Sequence, residues 1–374
     1  MNKSISLDQL DKSKWESFTF EQIAKKISET VQPSEVDVDI YVGLEHIDRN
    51  DIHIKRTGNP SQVKGAKLRC YPGDIIFGKR RAYQRKAAIV DFEGICSAHA
   101  FVFRAIPEVI DPQFFPFFLH SDQFMHRMID ISVGGLSPTI NWNDLKQQEF
   151  LLPPLETQTE IIKLFLSLDY LLEKDLEILK IMENLLYAKT KFFFKDNQNK
   201  IKIKELVKHE VYRKAEVGLQ PYIEIGDINT FNKKIIYKNK ESVKGSIIAS
   251  QDSVLVSKVR PDRGAVHILK ADQIVTNGFS ILFADAAKSS SSFLFYCIAW
   301  NKDFYYQMSR LSTGSTYPTV EEKTILSYLI PSVDKNLQND YVKQMDNIYL
   351  TFCNFESKTN KTRNLLNAVI NKIF

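Results

Sequence analysis

Apolar and polar positions along this chain follow two periods, and each period occurs twice. Short runs rich in Val, Ile and Phe, bounded by Gly, Pro or Asp, predict strands at Asp74–Phe77, Ala87–Val90 and Ala100–Phe103. Runs of the same kind recur at Ser253–Val256, Ala265–Leu269 and Ser280–Phe283. Each β-rich region stops at proline (Pro153-Pro154, then Pro331), and a long helical stretch follows. The first helix is expected from Thr157 to Phe192, with Thr157 and Glu160 as a capping box. Its seam is Ile161, Phe165, Leu168, Leu172, Leu179, Met182 and Leu186, broken only by Asp175. The second is expected from Asn336 to Phe374, with seam residues Tyr341, Met345, Ile348, Phe352, Phe355, Thr359, Thr362, Leu366, Val369 and Ile373. Apolar spacing of four and three sustained this long describes a coiled coil. About 36 residues make a rod of roughly 54 Å, whereas an ordinary core helix has about 11–12 residues.

The chain is therefore a tandem repeat. Phe18–Ala24 aligns with Ile201–Val207, and Tyr41–Asp48 with Tyr222–Asn229. Asp74–Arg81 aligns with Ser253–Arg260, and Gly134–Ile140 with Gly314–Val320. Leu151–Pro153 with Gln158 aligns with Leu329–Pro331 and Gln338. The polar stretch Lys195–Lys200 is the expected boundary between repeats. The expected fold class is α+β: two β-rich domains (1–154 and 196–332), each followed by a coiled-coil helix (155–195 and 333–374). A tandem repeat folded about a pseudo-two-fold axis is expected. Two similar, non-identical surfaces at a spacing set by a stiff connector suit a target made of two half-sites, such as duplex DNA, whose turn is about 34–36 Å.

Composition adds bounds. The chain has 374 residues, 50 Lys+Arg against 45 Asp+Glu, a formal charge of +5 and a hydrophobic fraction of 44%. These values are ordinary for a folded protein and exclude wholesale disorder. No apolar run approaches the roughly 18 residues of a membrane span, and the Met1–Ser6 end lacks the apolar core of a secretory signal. Cys70, Cys96, Cys297 and Cys353 form no CxxC pair, so neither a disulfide framework nor a zinc site is suggested. A soluble, cytoplasmic protein without membrane contact is expected.

The candidate DNA-binding chemistry falls at matched places in the repeats. Lys79, Arg80, Arg81, Tyr83, Gln84, Arg85 and Lys86 follow one strand, and Lys258, Arg260 and Arg263 follow its counterpart. Arg bridges guanine and Gln bridges adenine in the major groove, while the remaining cations suit phosphates. Ser137 and Thr139 in one loop, and Ser315, Thr316, Tyr317 and Thr319 in the other, offer hydroxyls or a stacking ring. Each loop is equally readable as a simple turn. No catalytic set is expected. The only Pro-Pro, in Leu151-Leu-Pro-Pro-Leu155, lacks the Asn/Asp and aromatic partners of an adenine methyltransferase loop, and no Gly-rich nucleotide loop is present. Asp262 and Glu321–Lys323 lie too far apart in sequence to suggest a nuclease centre, and Glu321–Lys323 is expected at a solvated helix start. The histidines (His46, His53, His99, His120, His126, His209, His267) are dispersed, with His99 expected in a core strand, so no metal site is expected.

The order of globule, Leu152-Pro-Pro-Leu155 with Gln158 and Ile161, long helix, globule and helix resembles the DNA-specificity (S) subunit of type I restriction–modification systems. Gly73-Asp-Ile-Ile-Phe77 with its basic run, and Gly314-Ser-Thr-Tyr-Pro-Thr319, carry the same resemblance. It implies two target recognition domains reading a bipartite DNA sequence in phage defence, and two helices that pair as an antiparallel coiled coil and set the gap. It further implies docking of two methyltransferase subunits and of restriction subunits. S-adenosylmethionine would belong to the methyltransferase partners, and this chain would bind no cofactor and catalyse nothing itself. The competing readings are a coiled-coil protein-binding adaptor and a stand-alone DNA-modifying enzyme.

Overall fold

The computed structural model describes residues 11–208, 213–216, 218–236 and 239–374, so His209 lies outside the described residues. The chain divides into two compact units, Met1–Lys174 with Asn360–Phe374, and Asp175–Thr359. Both long helices contribute to both units, and each unit is described by itself.

Unit 1 holds two four-stranded sheets. One runs Ala24–Ile27, Ala100–Ala105, Ile75–Gly78, Ala87–Ile89, with all neighbours antiparallel. The other runs Thr30–Val31, Lys67–Cys70, Gly94–Cys96, Tyr41–Val42, and its last pair is parallel. Unit 2 repeats this topology with Val207–Lys208, Phe279–Ala284, Val254–Ser257 and Val266–Ile268. Its second sheet runs Arg213–Lys214, Ile247–Ala249, Gln273–Val275, Leu219–Ile223, and adds Asn239–Glu241 at the edge. The six strands expected from apolar runs are all present, with ends shifted by one or two residues.

A small two-stranded ribbon closes each unit beside its long helix. Glu16–Thr19 pairs with Glu149–Leu152, and Lys200–Lys202 with Leu329–Pro331. Phe18 faces Phe150 and Ile201 faces Ile330, so Phe150 corresponds to Ile330. Pro153 therefore corresponds to Val333, and the expected match of Pro153 with Pro331 is corrected by two residues. Proline marks where a strand stops but fixes no register.

The long helices are Leu155–Asp196 and Lys335–Ile373. The first begins before the expected capping box, which places Thr157 and Glu160 inside the helix. The fixed backbone of Pro153-Pro154 starts it instead. In the second, Asp334 Oδ1 accepts from Leu337 N at 2.9 Å. Gln158 and Gln338 are both buried. Gln158 donates to the carbonyls of Val109 and Pro153 (both 2.9 Å) and accepts from Asp111 N (2.8 Å). Gln338 donates to the carbonyls of Lys288 and Val333 (both 3.1 Å) and accepts from Ser289 Oγ (3.0 Å). A buried amide left unpaired would cost about 1–3 kcal/mol, so these three-bond sockets explain why glutamine stands there.

Every expected seam residue is buried or half-buried. Asp175, the break in the first seam, is buried as well, with Lys358 Nζ 3.5 Å from its Oδ1. Within unit 2, Lys189 bonds Gln344 (2.9 Å), Thr190 bonds Tyr341 (3.1 Å), and Phe193 stacks on Tyr341 at 3.9 Å. Within unit 1, Phe114 packs on both Phe165 and Phe374. The cores are aromatic: Phe20, Phe103, Phe118, Phe124 and Phe150 interlock in unit 1, and Phe293, Tyr296, Trp300 and Phe304 are buried in unit 2. No helix among the described residues is long and apolar enough to cross a membrane.

Candidate nucleic-acid interface

In unit 1 the strand Ile75–Gly78 runs into a single 3₁₀ turn, Ala82–Gln84, flanked by Arg81 (φ 55°) and Arg85 (φ 52°). In unit 2 the strand Val254–Ser257 runs into Pro261–Arg263, flanked by Arg260 (φ 47°) and Gly264 (φ 71°). Left-handed arginines are uncommon, and such backbone persists where surrounding bonds hold it.

Those bonds come from the glycine loops. Arg81 N donates to Pro138 O (2.8 Å), and Ile140 N to Lys79 O (2.9 Å). Val133 and Thr139 exchange two bonds, which closes the loop (3.0 and 2.9 Å). Unit 2 makes the same four: Arg260 N to Pro318 O (2.7 Å), Val320 N to Lys258 O (2.9 Å), and the reciprocal pair of Thr313 and Thr319 (2.9 and 2.8 Å). Basic segment and glycine loop, separate candidates in the sequence, are thus one structure in each unit. Side chains add to the join. Arg81 Nε donates to Ser137 Oγ (3.1 Å), whereas Arg260 donates to Thr316 O (2.9 Å) and lies 4.7 Å from the Tyr317 ring. Thr139 and Thr319 turn their hydroxyls onto the carbonyls of Ser137 and Tyr317.

The candidates divide by direction. Arg81, Tyr83 (49% exposed), Arg263, Ser315, Thr316, Tyr317 (65%) and Thr319 are exposed, and Arg80, Gln84, Ser137, Lys258 and Arg260 are half-buried. Lys79 rests its ammonium 5.3 Å from the Phe101 ring, and burial, then Lys26, lowers its pKa. Arg85 and Lys86 turn inward. Arg85 donates to Asn50 Oδ1 (2.8 Å), His120 O (2.6 Å) and Asp122 Oδ1 (2.6 Å), and Lys86 to Leu44 O. A charge run in sequence carries no sign of which members fold back, so these two move from the contact set to the support beneath it.

Two neighbours were not among the candidates. Leu136, at the tip of the first loop, is 97% exposed. His99 lies in an exposed turn, not in a core strand. Loss of hydration, then nearby Arg80, Lys79 and Lys67, pushes its pKa down. The other histidines separate by burial: His120 is enclosed, bonded to Ala87 O, and pushed by burial down to about 4. His53 is not isolated, since it converges with Asp51 and Glu173. Lys55 Nζ fills the space between those carboxylates at 2.8 and 2.7 Å, so an ammonium already neutralises them. A hydrogen bond to Asp169 raises the His53 pKa. Glu321 and Lys323 pair with each other at an exposed helix start, as expected.

Residues 12–183 match the family described as type I restriction modification DNA specificity domain. Over 157 residues the chain is 29% identical to the type I restriction enzyme EcoDI specificity subunit of Escherichia coli, covering 40% of this chain and 33% of that protein. That match spans about a third of the relative's length. Over 346 residues it is 22% identical to the putative type I restriction enzyme MjaX specificity subunit of Methanocaldococcus jannaschii, covering 81% and 75%. The fold is shared with the S subunit of a type I restriction–modification system from M. genitalium, with a TM-score of 0.58 at 14% identity over 98% of each chain. A chain from structural work on complex assembly and conformational transition of the type I R-M system gives 0.51 at 18% identity, over 96% and 97%.

Proposed function

We propose that the chain is a member of the type I restriction–modification specificity-subunit family, whose model is matched by residues 12–183, and that it reads a bipartite duplex DNA sequence, one half with each unit. The observation that carries this is the recurrence of one corner: a basic turn opened by a left-handed arginine, tied by two main-chain bonds to a glycine loop that two more close. Beyond one bond each, to Ser137 and Thr316, the Arg81 and Arg260 guanidinium groups keep further donors for the target. Arg81, Gln84, Arg260 and Arg263 suit base edges, Arg80, Lys79 and Lys258 suit phosphates, and the loop hydroxyls and Tyr317 lie alongside.

The two long helices act as an antiparallel coiled coil about a pseudo-two-fold axis, and hold the readers at a fixed gap. The contacts Asp175–Lys358, Lys189–Gln344 and Thr190–Tyr341 support that direction, since residue numbers rise on one helix as they fall on the other. The complex forms with two methyltransferase subunits, which bring S-adenosylmethionine, and with restriction subunits, in the cytoplasm. The chain itself is the targeting part and performs no chemistry.

Adenine methylation mapped across the source genome, with and without this gene, tests the reading. Methylation should disappear at one two-part motif with a constant gap. An unchanged methylation map would sink it.

A further inference from the structure

Each basic turn is also gripped from beneath. In unit 2 the closing residue of the turn, Gly264, presents its carbonyl to Lys233 Nζ at 2.9 Å. The same ammonium donates to Thr230 O (2.6 Å) and lies 6.0 and 5.5 Å from the rings of Trp300 and Tyr305. Lys233 is 1% exposed and left-handed (φ 58°). In unit 1 the closing residue is Arg85, whose carbonyl accepts from Asn50 N (3.3 Å), itself left-handed (φ 54°). There the long side chain comes from the turn: the Arg85 guanidinium reaches down to Asn50, His120 and Asp122. The grip is thus made in both units, with the cation on opposite partners.

Burying an amine costs hydration that an apolar side chain of similar length would keep off the ledger. Core packing alone therefore does not account for lysine at position 233. We infer that Lys233 and Arg85 are positioning residues, each fixing the height and tilt of its own unit's turn, and so the fidelity of one half-site. A reading group displaced by about 1 Å loses its aligned contact. The inference rests on the DNA-reading function proposed above.

The test uses the full chain assembled with its methyltransferase partners, acting on genomic DNA from cells lacking the gene. Wild type, Lys233→Met and Arg85→Met are compared by mapping methylated adenines. Lys233→Met should lower methylation of the full motif about tenfold, the equivalent of one mis-set base contact. Base preference should relax in one half only, and Arg85→Met should relax the other. A purely structural role would depress both halves together, so equal loosening, or unchanged fidelity in both, overturns the inference. Should Lys233→Met fail to fold, Gly264→Ala keeps the lysine and disturbs the same grip. Its Cβ would stand 3.1 Å from the Tyr305 ring and 3.2 Å from Lys233 Nζ. It must relax the same half, and an intact half there refutes the idea. If the wild-type complex marks no two-part motif at all, the DNA-reading function itself fails, and that result is distinct from a variant that marks both halves faithfully.

Discussion

The two basic corners share a skeleton and differ at the tips. In unit 1 the arginine reaches a hydroxyl, Ser137, and the loop ends in Gly135 and the bare Leu136. In unit 2 the arginine reaches a carbonyl and lies against Tyr317, and the loop carries Ser315 and Thr316. Two main-chain bonds join loop to turn in both, and one arginine side-chain bond adds to each. The difference teaches that what the two corners share is main-chain bonding, while the tips proposed to read DNA differ in their side chains. Side chains at the tip can change without loosening the frame.

That division is broken most directly at the arginines. Arg81→Ala and Arg260→Ala retain the backbone N–H that binds proline but lose the guanidinium. Each should weaken binding of the cognate duplex about 10- to 100-fold, the range for one good base contact, while the melting temperature stays near wild type. Titration of labelled DNA, carrying the motif mapped by methylation, measures it. Loss of folding in either variant would mean that frame and tip are not separable.

A smaller effect is expected from the loop tips. Tyr317→Ala removes a ring worth about 1–3 kcal/mol if it stacks on a base. Leu136→Ala removes an exposed apolar group suited to a thymine methyl or a wedge between bases. Each should cost roughly 5- to 30-fold in affinity, the lower part of that range, and only for its own half-site. Substituted half-site duplexes would reveal the opposite outcome, an equal loss for both.

A third effect concerns pH and stability, not affinity. Burial lowers the Lys233 pKa from 10.5 to about 8. The unfolded chain then binds more protons between about pH 8 and 10.5, so the lysine's contribution to stability rises with pH across that window. Wild type should therefore gain on Lys233→Met by up to about 3 kcal/mol between pH 7 and 10.5. The buried His120 of unit 1 acts in acid instead. Its folded pKa of about 4 lies below the ordinary 6.5, so stability is lost as pH falls from 6.5 toward 4. Thermal melts of wild type and Lys233→Met from pH 4 to 10.5 separate the two, and a constant difference between the chains above pH 7 would contradict the assignment.

Much of this was legible in the sequence. The seam period located both long helices because a 3.5-residue repeat leaves one buried face, and every seam position is at least half-buried. The doubled blocks located both corners. The union of basic turn and loop was not legible, because it joins residues nearly sixty positions apart through main-chain groups that have no residue-type signature. Nor was the inward turn of Arg85: its partner Asp122 is one of many acidic residues, and nothing local selects it. Gln158 and Gln338 proved better register marks than the prolines, since a buried amide must match its sockets while a proline need only stop a strand.

Those sockets have a consequence for substitution of the globule. Gln158 bonds only main-chain groups: two carbonyls and one N–H. A fastening that engages the peptide backbone places no demand on the identity of the side chains around it. Any globule that brings the same three peptide groups to the foot of the helix will fit the same plug. A substituted globule would then need no change at position 158, while the Phe114–Phe165 and His53–Asp169 contacts would still have to be met by side chains.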